Sequence, residues 1–119
     1  PGHNNWAVKN LEKGPKLSKN LAHALDSLGY DVVGWDAEWR FKHYNIPIQS
    51  ASKIAGEIDS MLNKHETTFK NNIVVLMHDR MFATKASADS LRKVITLLKS
   101  DSSIVFETID HYPLLQQNN

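Results

Sequence analysis

The chain of 119 residues contains no cysteine, and its net charge is only +1. The absence of cysteine excludes disulfide bonds, thiolate metal sites and a cysteine nucleophile, although it does not fix the cellular compartment. No apolar run approaches the roughly 20 residues that a membrane-spanning helix needs. The lysines and arginines are dispersed among acidic residues, so there is no basic stripe to collect phosphate contacts. We therefore expect neither a membrane span nor a nucleic-acid partner.

What the chain does contain is typical of a globular domain. Hydrophobic residues make up 41% of the sequence and charged residues 23%, both ordinary values for soluble folded proteins. A chain of this length buries about two thirds of its unfolded surface without needing covalent cross-links. No repeat, low-complexity segment or linker divides it, so the sequence favours one structural unit over residues 1–119.

Helical and strand-like patterns alternate along the chain. Helices are predicted near residues 16–28, from residue 50 or 51 to about 65, and over 85–99; strands are predicted over Tyr30–Trp35, Ile73–Met77 and Ile104–Ile109. The helical residues predicted to face the core are Leu17, Leu21, Ala24, Leu25 and Leu28, then Ile54, Ile58, Met61 and Leu62, then Leu91, Val94, Ile95 and Leu98. Ser18 and Thr84 are the predicted N-caps, Gly29 is the predicted end of the first helix, and residues 116–119 read as a frayed tail. This order predicts an α/β fold in which parallel strands alternate with helices, as an open sheet or a (β/α) barrel.

Two predicted strands end in polar and aromatic residues. VVGWDAEWR covers Val32–Arg40, and IVVLMHDR covers Ile73–Arg80. In parallel α/β folds, functional groups collect at the carboxyl ends of strands, so both endings are predicted to face one site. If the strand persists, Asp36 and Glu38 share a face with Cα atoms about 6.6 Å apart. His78 directly follows an apolar run, where a partly desolvated imidazole is suited to acid or base chemistry.

Structural explanations for the same residues stay open. Asp36 at a strand end is often a turn cap, and Trp35 and Trp39 are also suited to a core. His78 after five apolar residues is costly unless it is used or well hydrogen-bonded, which favours a functional role for it. The other histidines of the chain form no His-x-His or His-x-x-x-His spacing.

Taken together, VVGWDAEW followed by IVVLMHD resembles the fourth and fifth motifs of the polysaccharide deacetylase family, the NodB-homology domain. The opening PGHNNW is similar to the end of the third motif of that family, which suggests substrate-binding positions at Pro1 and Gly2. The resemblance runs over essentially the whole chain. It implies the C-terminal half of a distorted (β/α) barrel that removes acetyl groups from N-acetylated polysaccharides. It also implies a secreted, periplasmic or cell-surface location.

The resemblance assigns a role to each matching residue. His78 would be the general acid that protonates the departing amine, and Leu76 would line the pocket for the acetyl methyl group. Asp36 would orient or balance neighbouring catalytic groups, and Trp39 would form part of the groove wall. These roles agree with the chemistry, because amide hydrolysis must protonate a poor leaving group and a tryptophan face suits a sugar ring.

The parts of the family pattern that would bind a metal do not occur in this sequence. The first motif would supply an aspartate base and a metal-binding aspartate, the second would supply two histidines, and the third would begin with an arginine; none has a counterpart between Pro1 and Asn119. The metal of the family, usually zinc, polarises the carbonyl and activates water, and a catalytic zinc site needs about three protein ligands. We therefore expect no metal ligands in this chain, which alone would be inactive. Its expected partners are the N-terminal half of the same domain or a second copy of itself, either of which would cover the open strand edges.

Two functions of other classes remain as alternatives. The Asp36-x-Glu38 pair followed by an aromatic residue is similar to the end of the chitinase-type glycoside hydrolase motif, whose glutamate is the acid. That motif would need further acidic residues on the same strand face, where this chain has Val32 and Gly34. The second alternative is a non-catalytic carbohydrate-binding domain that uses Trp35 and Trp39.

Overall fold

The computed structural model describes residues 3–116, which form two units with separate packing. One unit comprises the residues up to Trp35 together with those from Glu107 onward, and the other comprises Asp36–Phe106. The sequence favoured one structural unit, because no linker separates the two groups of residues. Pro1 and Gly2, which were predicted to bind substrate, lie outside the described residues.

The first unit is built on a hairpin with one buried strand. Strands β1 (Trp6–Val8) and β2 (Leu11–Lys13) pair antiparallel, and every residue of β1 is buried. The second edge of β1 is met by Val32, whose N–H and C=O both bond to Ala7. Gly34 allows the backbone after Val32 to approach the Trp6 side chain closely, since a Cβ atom at position 34 would lie 2.6 Å from the Trp6 indole nitrogen. The predicted strand Tyr30–Trp35 is therefore reduced to one antiparallel bridge.

Helix α1 (Lys16–Ser27) lies close to its predicted position, but it buries a different face. Ala22 is buried, with Ser18 and Leu25 half-buried beside it, whereas Leu17 and Leu28 are 85% and 74% exposed. Ser18 is not the N-cap: the cap residue is Pro15, and the Ser18 hydroxyl donates to the Asn5 side chain. The leucine stripe predicted to be buried is thus largely exposed, since the β1 hairpin contacts the adjacent face.

The second unit contains the parallel strand pair. Strands β3 (Ala37–Glu38) and β6 (Val75–Leu76) pair parallel, and β4 (Phe41–Lys42) and β5 (Ile46–Pro47) form an antiparallel hairpin. Tyr44 and Asn45 turn this hairpin with φ angles of 61° and 59°. Ile104–Ile109, predicted to be a third strand, contains no paired strand, and its Val105 and Phe106 are exposed.

Helices α2 (Ala51–Asn63) and α3 (Lys85–Lys99) confirm their predictions most closely. Each begins at a hydroxyl N-cap: Ser50 accepts from the Lys53 N–H and Thr84 from the Ser87 N–H, a contact typically worth about 1 kcal/mol. The helices pack on each other and bury a shared core that consists of Trp39, Ala51, Ile54, Ala55, Ile58, Met81, Val94 and Leu98. Four predicted core residues of these helices deviate, because Ile95 is exposed and Met61, Leu62 and Leu91 are only half-buried.

The chain is therefore an α/β protein, as predicted. Two of its sheets are antiparallel and one is parallel within the described residues, each of two strands. A short helix, α4 (Pro113–Gln116), follows a 3-10 turn at Ile109–His111. Over residues 3–116, none of the helices combines the length and the apolar character that crossing a membrane would require.

Candidate functional site

The parallel pair β3 and β6 brings together the two polar segments singled out in the sequence. Ala37 lies opposite Val75, and Glu38 lies opposite Leu76. The ladder continues beyond the two strands, because the Trp39 N–H donates to the Leu76 carbonyl at 2.9 Å. The segments DAEW and VVLMHD are thus direct neighbours, although 38 positions separate the paired residues in the chain.

Asp36 fixes the start of this pair. One carboxylate oxygen accepts from the Thr68 N–H at 2.7 Å, and the other accepts from the Val74 N–H at 2.8 Å. The Asp36 N–H in turn donates to the Val74 carbonyl at 2.8 Å. Hydrogen bonds to an ionised carboxylate are stronger than those between neutral groups. Asp36 therefore anchors the segment that leads into β6.

Asp36 and His78 lie at opposite ends of the strand pair. Asp36 precedes β3, while His78 follows β6 and lies in register with Arg40 when the observed pairing is extended. Four residues at about 3.3 Å each separate the two positions by about 13 Å along the strand direction. The expectation that both polar endings face one site rested on a strand that ended at Trp35. The paired strand instead begins after Asp36.

His78 packs against an aromatic ring that also carries a cation. Its ring meets Phe41 edge-on, with centroids 5.2 Å apart and an interplanar angle of 76°. The guanidinium carbon of Arg80 lies 4.6 Å from the centroid of the Phe41 ring. Leu76, two residues before His78 on β6, is half-buried, and side chains two apart along an extended chain point to the same face. His78 thus follows a strand with an apolar side chain on the same face, and it shares the Phe41 ring with Arg80.

Trp39 lies in the core and cannot form a groove wall in this structure. The side chain is 0% exposed, packs on Phe82 with centroids 5.1 Å apart, and donates from its indole nitrogen to the Gln49 carbonyl at 3.0 Å. A sugar ring has no access to its faces. Of the two interpretations that the sequence left open for Trp39, the structure shows the core aromatic.

Gln49 was not singled out in the sequence, yet it closes the free edge of β3. Its side-chain nitrogen donates to the Glu38 carbonyl and its side-chain oxygen accepts from the Arg40 N–H, both at 2.8 Å. The amide thereby substitutes for a neighbouring strand. Gln49 is itself buried, and a glutamine that follows the sequence Ile-Pro-Ile gives no sequence signal for this role.

A cleft of about 560 Å³ lies between β3 and α2. The charged residues that line it are Asp36, Glu38, Arg40, Lys53, Glu57 and Glu66, four carboxylates and two cations. Asp36 and Glu38, which were predicted to share a strand face, both line this cleft. Helix α2 contributes Gly56, where a Cβ atom would meet nothing within 4 Å. The contribution of α2 could not be read from the sequence, because helical periodicity identifies the buried side of a helix but not what its other side lines.

The segment next to the predicted Pro1 and Gly2 positions is held by asparagine. The Asn4 side chain donates to the Trp35 carbonyl and accepts from the Trp35 N–H, each at 2.9 Å. Within the first unit, Asn4 therefore joins its segment to the end of VVGW in the same way that Gln49 is joined to β3. Trp35 itself is half-buried.

Shifted pKa values occur at exposed pairs. A hydrogen bond and the charge of Glu12 raise the pKa of His23, whose Nδ1 lies 2.7 Å from the Glu12 carboxylate. Hydrogen bonds from Ser103 lower the pKa of Asp101, and a hydrogen bond from Thr108 lowers that of Asp110. All three groups lie on the surface and outside the cleft.

The residues in this structure do not fit the metal that the family resemblance implies. Among residues 3–116, no three histidine, aspartate or glutamate side chains gather in a way that could hold a metal ion. In the cleft, both oxygens of Asp36 already accept backbone N–H groups. A catalytic zinc site, with its need for about three ligands, is not present in the described part of this chain.

Comparisons with known proteins identify no relative. The sequence matches no protein-family profile and no curated protein, and no solved structure shows significant similarity to the chain.

Proposed function

We propose that this chain forms the C-terminal part of a metal-dependent carbohydrate N-deacetylase, a hydrolase that removes acetyl groups from N-acetylated sugar polymers. Pairing of β3 with β6 carries this proposal. It makes neighbours of the two segments that resemble the fourth and fifth deacetylase motifs, and parallel pairing is the arrangement that a (β/α) barrel requires. In this proposal, the metal ligands and the remaining strands come from outside residues 1–119.

His78 acts as the general acid. Hydrolysis of the acetamide breaks the C–N bond, water oxygen bonds to the acyl carbon to give acetate, and the departing nitrogen takes its proton from the imidazolium of His78. The proton that the water loses would pass to the aspartate base of the first family motif, which has no counterpart in residues 1–119. General acid catalysis of this kind contributes about 10²- to 10⁴-fold to the rate. Leu76, on the same strand face, contacts the acetyl methyl group.

Asp36 serves as a positioning residue. Its carboxylate is occupied by the N–H groups of Thr68 and Val74, so it does not exchange protons with the substrate. It holds the entrance to β6, and thereby the strand that carries Leu76 and His78. This assigns Asp36 the orienting role that the resemblance implies, at a distance from the acid.

The test is acetate release from N-acetylglucosamine oligomers by the protein expressed from its complete native reading frame and loaded with zinc. His78→Asn is expected to lower kcat by about 100-fold or more. His43→Asn, at an exposed turn position, is the matched control and is expected to retain full activity. Absence of acetate release by the native protein, or full activity of His78→Asn, would refute the proposal.

The same experiment separates the two alternatives. Loss of glycosidic-bond cleavage in Glu38→Gln, with His78→Asn unaffected, would instead indicate a glycoside hydrolase of the chitinase type. Metal-independent binding of the oligomers without turnover would indicate a carbohydrate-binding domain. A secreted, periplasmic or cell-surface location is part of the proposal, since N-acetylated polymers usually lie outside the cytoplasm.

A further inference from the structure

One aromatic ring holds two charge-capable side chains at the carboxyl end of the β3 and β6 pair. Phe41 packs against the imidazole of His78 in a T-shaped arrangement and has the guanidinium of Arg80 over its ring. Phe41 also packs against the buried core of the second unit, so the ring is a fixed support. From the two separations, the imidazole and the guanidinium lie within about 10 Å of each other, a distance that one substituted pyranose ring spans.

Arg80 has its guanidinium free for an anion. Within residues 3–116 no carboxylate lies in salt-bridge range of this group, whereas the exposed Arg92 pairs with Asp89 at 2.6 Å. The nearest acidic residue in sequence, Asp79, accepts the backbone N–H of Arg80. A guanidinium stacked on an aromatic face keeps its in-plane N–H donors available, and these donors match the two oxygens of a carboxylate.

We propose that Arg80 binds a carboxylate carried by the substrate, so that the preferred substrate is an acidic N-acetylated amino sugar. This inference rests on the proposed function, because it places the carboxylate near the acetamido group that His78 serves. Arg80 is then a specificity-determining residue. A neutral glycan would leave its guanidinium in water and gain nothing from it.

The probes are N-acetylmuramic acid and N-acetylglucosamine, which differ only by a lactyl group that carries the carboxylate. Binding of each is measured by NMR titration on the protein expressed from its complete native reading frame, without added metal, following the backbone amides of residues 78 and 80. The acidic sugar is expected to bind about 10- to 100-fold more tightly, as for one charge-assisted bidentate contact. Arg80→Gln is expected to abolish this difference, while Arg80→Lys retains part of it. Arg92→Gln is the matched control and is expected to change nothing.

Each outcome has one meaning. Equal affinity for the two sugars, no binding of either, or an unchanged preference in Arg80→Gln would overturn the inference. Because binding requires neither metal nor turnover, the result is independent of the deacetylase assay. A preference for the acidic sugar without any acetate release would refute the proposed function and leave the anion site established.

Discussion

Replacement of Asp36 by asparagine tests whether this carboxylate anchors the entrance to β6. Asparagine has nearly the same shape, but it offers one acceptor oxygen where the carboxylate offers two. The Thr68 and Val74 N–H groups both point at Asp36, so one of them must face an NH₂ group in the variant. The variant therefore loses one of the two hydrogen bonds that hold the surrounding backbone in place.

The expected loss of stability follows from the hydrogen bonds. A bond from an N–H group to a charged acceptor contributes about 1.5–3 kcal/mol, and the half-buried position of Asp36 favours the lower part of that range. We expect Asp36→Asn to lower the free energy of unfolding by about 2 kcal/mol, which corresponds to a fall of about 1 M in the urea midpoint. Asp59→Asn, at an exposed position on α2, is the control and is expected to stay within about 0.5 kcal/mol of the parent.

Hydrogen exchange locates the effect. The amides of Thr68 and Val74 are expected to exchange about 30-fold faster in Asp36→Asn, with a smaller change in the core of α3. An unchanged urea midpoint together with unchanged protection of these two amides would show that Asp36 does not anchor the segment. The argument for its positioning role would then fail.

Two further predictions concern hydrogen-bonded side chains. Gln49→Glu, which replaces the donor to the Glu38 carbonyl with a second acceptor, is expected to lower the free energy of unfolding by about 2–3 kcal/mol; an unchanged thermal midpoint would contradict the edge-closing role. Glu12→Gln is expected to return the raised pKa of His23 towards about 6.5, measured by NMR titration of the imidazole. A His23 pKa that is raised in the folded state stabilises the protein at pH values below the unfolded pKa, and this stabilisation disappears as the pH rises through the folded-state pKa. Glu12→Gln should therefore lower Tm at about pH 5.5 and leave it unchanged at about pH 9. The opposite pH dependence would exclude the pair as the cause.

The helices of the second unit could be predicted because their signals are local. Ser50 and Thr84 cap α2 and α3 within three residues of the N–H groups that they accept. Ile54 and Ile58 are buried as the helical period requires. These features depend on residues one turn apart, so the sequence expresses them without reference to the rest of the chain.

Strand pairing could not be predicted in the same way. The apolar run before Asp36 has the composition of a strand, yet pairing in the parallel sheet begins at Ala37. Ile104–Ile109 has the same composition, and it pairs with nothing in the described residues. A strand needs a partner edge, and composition does not say where that edge lies or in which register it is met.

Burial of single side chains was likewise decided by what packs against them. Leu17 and Leu28 belong to an apolar stripe that periodicity assigns to the core, but they are exposed because the hairpin contacts the neighbouring face of α1. Trp39 belongs to a polar strand exit that suggested a binding surface, but it is completely buried in the core that it shares with residues of α2 and α3. In both cases the residue type was compatible with either environment.

The sequence by itself determined the α/β class, the bounds of α2 and α3, and the placement of Asp36 and His78 beside apolar runs. The tertiary structure alone decided that Asp36 binds the N–H groups of residues 32 and 38 positions away, and that Phe41 holds His78 and Arg80 together. The reason is that helix limits and apolar runs are set by neighbouring residues. The direction in which a polar side chain points is set by backbone groups that reach it only after distant segments have paired.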